Sequence, residues 1–207
     1  MRQNSPFVIT ISRQLGSGGA YIGQQLARKL NIFYADREII KQAAKQFSLV
    51  EETLQTRDER LSSFWQVFVQ SYALGAPDTY ILPPVIIPTD RELFNVESEI
   101  IKHIAREQSS VIIGRCGSYI LREHPTHLSL FLHADIKFRK ARIQNLYNIS
   151  DKEAEKMIVQ SDKERALYNR TFAGKEWTDA RQYDLTIDTG KTGIEKSIEI
   201  IMKRLGD

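Results

Sequence analysis

The sequence predicts an α/β fold in which a parallel five-stranded sheet lies between two layers of helices. Three observations predict it. Five short apolar runs recur, at about residues 7–11, 31–35, 111–113, 128–132 and 183–188, and helical patterns separate them. The first run, with Phe7, Val8, Ile9 and Ile11, has the β-branched and near-continuous apolar character of a strand buried on both faces. Strands of this kind alternating with helices form parallel sheets that are covered on both sides. Finally, residues 12–19 place three glycines in eight positions between the first strand and the first helix.

Bulk properties bound the rest. The 207 residues, 42% hydrophobic and 27% charged with no low-complexity tract, suit one α/β domain with a sizeable core. A net charge of +3 is too slight for a nucleic-acid-binding surface but is compatible with a small anionic ligand. No segment approaches the ~20 apolar residues of a membrane helix, and the N-terminus has no signal-peptide pattern. The single cysteine, Cys116, excludes an internal disulfide and fits a reducing compartment, so a cytoplasmic location is expected. His103, His124, His127 and His133 are scattered without metal-ligand spacing, which argues against a zinc site.

The glycine-rich turn carries the first functional signal. A strand, a turn containing Gly16, Ser17, Gly18 and Gly19, and a helix with Ile22, Leu26 and Leu30 on one face point backbone N–H groups and a helix dipole at one spot. That arrangement can cradle phosphate, and the alternative is a tight turn without a ligand. Two cradle patterns fit in part. For a dinucleotide fingerprint, Gly16, Gly18 and the more distant Asp36 match, but Tyr21 stands where the third glycine belongs. For a mononucleotide loop, Gly19 stands where lysine belongs and Ala20 where a hydroxyl belongs.

The next elements follow in order. Residues 31–35 read as a short strand or turn delivering Asp36 and Arg37, and residues 38–47 as a helix with Ile39, Ile40, Ala43, Ala44 and Phe47 inward. Asp36 reads as a helix start, or, with Arg37, as an acid and a base placed to touch sugar or phosphate. Residues 48–60 read as a solvated charged helix. The aromatic stretch around Phe64, Trp65, Phe68 and Tyr72 reads as core or a subunit contact, leaving room for a homo-oligomer. Four prolines and Gly75 make residues 74–89 a loop or extended segment. Residues 91–108 return to helix, with Leu93, Val96, Ile100, Ile101 and Ile104 on one face and Asp90 as a cap.

The second signal is Gly114-Arg115-Cys116-Gly117, directly after the strand of Val111, Ile112 and Ile113. This places Arg115 at the carboxyl end of a parallel sheet, where α/β ligand sites form. Cys116 reads as a small buried side chain. Helices are expected at 136–147, from the capping box Ser150-Asp151-Lys152-Glu153 onward, and at 193–205. Arg165 and Arg170 lie among the cations of the charged stretch 150–180.

ITISRQLGSGGAYIGQQLARKL with FYADREII, VIIGRCGSYIL, DKERALY and GKEWTDARQYDLTIDT together resemble the cytidylate kinase-like proteins, a branch of the P-loop nucleoside-monophosphate kinases. The resemblance implies a P-loop NTPase-like core at 7–35, 91–149 and 181–207, an acceptor-side helical insertion at about 36–90 and a lid at about 150–180. It implies nucleotide substrates, ATP with Mg2+, and transfer of the γ-phosphoryl group to CMP, dCMP or a related acceptor. Ser12, Arg13, Gly16, Ser17, Gly18, Gly19, Ala20 and Tyr21 would then surround donor phosphates, and Asp36, Arg37 and Arg115 would face the acceptor. Arg13, Arg115, Arg165 and Arg170 would neutralise the transferring charge, Arg13 at the loop mouth substituting for the missing lysine. Ile113 and Cys116, where the pattern can carry acids, remove candidate Mg2+ ligands, and Gly19 and Ala20 replace the lysine and hydroxyl of the loop. They open the alternative of a nucleotide- or phosphate-binding regulator without turnover, and Gly16, Gly18 and Asp36 leave a dinucleotide-dependent oxidoreductase as the lesser one.

Overall fold

The computed structural model describes residues 6–48, 61, 65 and 90–206. They build one parallel sheet in the order β2-β3-β1-β4-β5. Its strands are β1 (Val8–Arg13), β2 (Phe33–Ala35), β3 (Ser110–Ile113), β4 (His127–His133) and β5 (Leu185–Asp188). The helices are α1 (Gly19–Leu30), α2 (Arg37–Ser48), α3 (Asp90–Glu107), α4 (Gly117–Ile120), α5 (Ile136–Tyr147), α6 (Asp151–Ala173), α7 (Thr189–Thr192) and α8 (Ile194–Leu205). A 3-10 turn occupies Ala180–Gln182.

The first apolar run becomes the central strand for the reason its composition gives. Val8, Ile9 and Ile11 are wholly buried, and the two-residue period of a strand sends them to opposite faces. Val8 and Ile112 join Ile40, Ala43, Ile100 and Ile104 of α2 and α3 in one core. Ile9, Ile11, Leu130 and Ile187 join Ile22 and Leu26 of α1 and Ile198 and Ile201 of α8 in the other. Each such aliphatic side chain contributes about 1.5–3 kcal/mol of burial. The three-layer α/β architecture is therefore the one the strand and helix periodicities require.

Local signals set most of the boundaries. The capping box at the start of α6 forms as its spacing predicts: Glu153 N–H donates to Ser150 Oγ (3.3 Å) and Ser150 N–H to Glu153 Oε2 (2.9 Å). Asp135 caps α5, its Oδ1 accepting from Phe138 N–H at 2.9 Å. Other boundaries shift. Asp90 is the first residue of α3 rather than its cap, and β5 starts at Leu185 because Tyr183 and Asp184 turn the chain toward β4. The short α7 has no sequence expectation behind it; the Asp188 carboxylate nucleates it by accepting from the amides of Gly190 and Lys191.

The charged stretch at 49–60, most of the aromatic stretch and the proline-containing segment at 74–89 lie outside the described residues. Leu61 and Trp65 are the exceptions. Both are buried in the core beside α2 and α3, with the Trp65 ring edge-on to Phe33 at 5.8 Å and to His103 at 6.3 Å. No helix among the described residues is long and apolar enough to cross a membrane.

Candidate active site

Register decides what meets at the carboxyl edge of the sheet. Ile11 on β1 pairs with Ile113 on β3, so Arg13 and Arg115, each two residues further on, leave the same edge side by side. The chain turns differently after each strand.

After β1 the glycine turn packs closely against its surroundings. Gly16 (φ 84°) and Gly18 (φ 82°) both take left-handed backbone. A Cβ on Gly16 would lie 2.7 Å from the Arg139 carbonyl oxygen, and one on Gly18 would lie 2.4 Å from Ile194 Cδ1. Ser17 is wholly buried; its hydroxyl donates to the Gln14 carbonyl (2.9 Å), and its own carbonyl accepts from Thr189 Oγ1 (2.8 Å). Gly18 is the N-cap of α1, which has no side-chain cap and no acid in its first turn. The amides at the start of α1 are thus free of a capping carboxylate or hydroxyl, as an anion-binding helix start requires.

After β3 the turn is strained. Gly114, Arg115 and Cys116 have φ of 76°, 52° and 53°, three left-handed residues in succession. Arg and Cys each cost about 1–3 kcal/mol there, and the Gly117 N–H closes the turn on the Gly114 carbonyl at 2.9 Å. The strain aims Arg115 into the space between the strand ends and α6. Its Nη2 lies 3.4 Å from Glu97 Oε1, and its guanidinium lies over the Tyr168 ring, 5.2 Å from the centroid. The Tyr168 hydroxyl donates to Glu97 Oε2 at 2.9 Å. Arg115 Nε is buried with no acceptor.

The far wall comes from α6. Arg165 donates from Nη1 to the Arg13 carbonyl at 3.1 Å, and the Cys116 thiol donates to Asn169 Oδ1 at 3.4 Å. Behind them Phe94 and Phe172 stack at 4.4 Å with Tyr168 against Phe172 at 4.7 Å. The cleft has a volume of about 250 Å³, and its lining includes Ser12, Arg13, Arg37, Gly114, Arg115, Cys116, Glu164, Arg165 and Trp177. Tyr183, beside Ser12, donates from its hydroxyl to the Trp177 carbonyl at 2.6 Å.

Electrostatically the cleft is a cluster of like charges. Burial, followed by the neighbouring Arg165, pushes the Arg13 guanidinium down from its usual 12.5 to about 9, and Arg165 is pushed down by burial, with Arg37 and Arg139 adding to it. Both stay cationic at neutral pH. Glu97 is the buried counter-charge, and desolvation raises its carboxyl above the ordinary range although Arg115 and Tyr168 oppose the rise. Burial likewise pushes the Cys116 thiol up to about 12, so it is no nucleophile at neutral pH. Cations crowded together with open donors stabilise one class of guest, a polyanion.

The structure brings Ser12, Arg13, Arg37, Arg115 and Arg165 together on this cleft. Ala20 and Tyr21 lie on the outer surface of α1, with Arg142 over the Tyr21 ring at 5.9 Å. Asp36 starts α2, its Oδ1 accepting from Ile39 N–H at 3.0 Å. Arg170 is 68% exposed and paired with Glu176, outside the cleft lining. The close helix-to-strand approach that a dinucleotide fingerprint assigns to its third glycine falls at Gly23, whose Cβ would lie 2.6 Å from Ile113 Cδ1. Glu97 has one sequence signal: it lies four residues after Leu93 and four before Ile101, inside the apolar stripe of α3.

Comparison with known proteins agrees with this geometry. The crystal structure of an uncharacterised protein from Eubacterium ventriosum ATCC 27560 superposes with a TM-score of 0.73 at 24% identity, covering 97% of this chain and 98% of that one. A shikimate kinase from Bacteroides thetaiotaomicron superposes with a TM-score of 0.52 at 16% identity, covering 96% of this chain and 98% of that one. The fold is thus shared with P-loop kinases. A cytidylate kinase from Saccharolobus islandicus (strain L.S.2.15 / Lassen #1) is 24% identical over 110 residues, which are 53% of this chain. The match spans only 58% of that relative's length. Residues 8–191 match the model of the cytidylate kinase-like family, and the chain belongs to that family.

Proposed function

We propose that the protein is a phosphotransferase that moves the γ-phosphoryl group of ATP to a nucleoside monophosphate, CMP or dCMP before others. One observation carries the proposal: Arg13, Arg37, Arg115 and Arg165 converge on one cleft at the carboxyl edge of the sheet. Phosphoryl transfer needs positioning and charge neutralisation more than covalent help from the protein, and guanidinium forks supply both. Removing one such donor from a site of this kind costs about 2.7–4 kcal/mol of transition-state stabilisation.

The acceptor class follows from the acids. A hydroxyl acceptor, as in a sugar or shikimate kinase, calls for a positioned base. Among the described residues, Glu97 is tied to Arg115 and Tyr168, Glu164 accepts from Gln160 at 2.7 Å, and Asp36 caps α2. An acceptor that presents its own phosphate oxygen needs no base and suits the arginines. CMP and dCMP are preferred on family grounds, and the relatives named cytidylate kinase support that choice.

Among the described residues no three His, Cys, Asp or Glu side chains group to hold a metal. The residues present fit a Mg2+ ion held largely by the nucleotide's own phosphates, with the Ser12 hydroxyl as an oxygen donor on the cleft wall. The bound ion would supply charge neutralisation on the phosphates. In this reading α6 is the lid: it carries Arg165 over the strand ends and turns away at Gly174, its left-handed C-cap.

The test is formation of ADP from ATP and Mg2+ in the presence of each nucleoside monophosphate in turn. Turnover with CMP or dCMP above the other acceptors supports the proposal. A second reading, a nucleotide-binding regulator without turnover, is favoured by Gly19 standing at the lysine position. Measurable ATP binding with no ADP formed for any acceptor would establish it instead.

A further inference from the structure

The helix that follows a phosphate loop ordinarily carries a lysine at its start, and the residue there is Gly19. Its backbone does not require glycine, since its φ lies outside the left-handed range, and helix propensity alone would favour alanine. What excludes a side chain is Arg13. A Cβ on Gly19 would lie 2.6 Å from Arg13 Cβ and 2.8 Å from its Cγ, and a Cβ on Gly114 would lie 2.3 Å from Arg13 Nη1. The Arg13 stem therefore runs against one glycine and its guanidinium against the other, at the wall of the cleft. Among the described residues no carboxylate or carbonyl accepts a hydrogen bond from that guanidinium, although Arg165 fixes the Arg13 backbone by donating to its carbonyl at 3.1 Å.

We propose that Arg13 is the phosphate-binding cation of this loop, transferred from the start of α1 to the end of β1, and that Gly19 lacks a side chain because it houses the Arg13 stem, Gly114 being glycine already for its left-handed backbone. The assignment rests on the phosphate reading of the cleft and deepens it. A planar guanidinium replaces a point charge, so two phosphate oxygens can be held at once. It makes positions 13 and 19 interdependent: a lysine at 19 collides with Arg13, and becomes acceptable once Arg13 is gone.

The experiment is calorimetric titration of MgATP into the full chain, with circular-dichroism melts to check that each variant is folded. Arg13→Gln, which removes the charged hydrogen-bonding group, and Gly19→Ala, whose Cβ displaces it, should each weaken binding by about tenfold or more. Arg13→Lys, which keeps a cation in place, should retain most of the affinity. Gly19→Lys should bind poorly, whereas Arg13→Gly combined with Gly19→Lys should recover to within about threefold of wild type, since the charge is restored at its ordinary position. Undiminished or tighter binding by Arg13→Gln and Gly19→Ala overturns the assignment alone, tighter binding meaning that Arg13 plugs the loop. Wild-type protein that binds no MgATP overturns both this assignment and the phosphate reading beneath it.

Discussion

Two neighbouring regions use arginine in opposite ways. At the seam of α5, α6 and the glycine turn, Arg139 is only 4% exposed and engaged through two of its nitrogens. Its Nε donates to the Leu15 carbonyl at 2.9 Å and its Nη2 to Asp162 Oδ2 at 2.6 Å. In the cleft, among the described residues, Arg13 has no hydrogen-bond acceptor for its side chain, Arg115 pairs with Glu97 but keeps a buried Nε without an acceptor, and Arg165 uses one donor on a carbonyl. Burial of a charge is tolerated only when it is paired. The engaged arginine is therefore a structural strut, whereas the cleft arginines keep donors spare, and in the proposed reading those spare donors are what an anion would meet.

That contrast can be broken or sharpened by substitution. Arg139→Ala should have the largest effect on the fold, about 3 kcal/mol lost in a urea melt, because it strands Asp162 and a carbonyl in a partly buried seam. ATP affinity of the folded fraction should change far less. Arg115→Ala should do the reverse in kind, weakening MgATP or CMP binding by about 1.5–3 kcal/mol in a calorimetric titration. A stability loss as large as that for Arg139→Ala with no loss of binding would make Arg115 a second strut.

Glu97 sharpens the comparison through pH. Its folded carboxyl lies above the ordinary 4.5, with burial the first cause. For a group raised in the folded state, the stability it supports is complete below the ordinary value and is lost as pH rises through the folded value. Wild-type stability should thus decline relative to Glu97→Gln as pH is raised from about 4.5, and parallel curves would mean that Arg115 compensates Glu97 fully. The smallest effect belongs to Arg170→Ala, where an exposed pair with Glu176 is removed. Melts should move by less than about 0.5 kcal/mol and MgATP affinity should hold. A marked fall in turnover would instead mean that α6 closes far enough to bring Arg170 to the phosphates.

The architecture was largely legible because period and capping are local signals. Ile9, Ile11 and Ile113 announce buried strands, and Ser150 with Glu153 announces the start of α6. The place of Arg115 at the carboxyl edge also followed from its position directly after an apolar strand. What stayed hidden depended on partners distant in sequence. Nothing near Arg139 reveals that the Leu15 carbonyl, 124 residues away, completes its hydrogen bonding. Likewise Gly16 and Gly18 read as a phosphate cradle, yet their outer faces are fixed by close contact with Arg139 and Ile194. Glu97 was hidden for a different reason: an acid inside an apolar stripe reads as an interruption until Arg115 and Tyr168 are seen to meet it.

The account stands on the open arginines being the phosphate site. A crystal structure of the protein with CMP and a non-hydrolysable ATP analogue tests this most directly. Phosphate oxygens within hydrogen-bonding distance of the Arg13, Arg115 and Arg165 guanidiniums are the predicted result. Nucleotide bound elsewhere on the molecule, with the cleft between β1, β3 and α6 free of phosphate at saturating ligand, would contradict it.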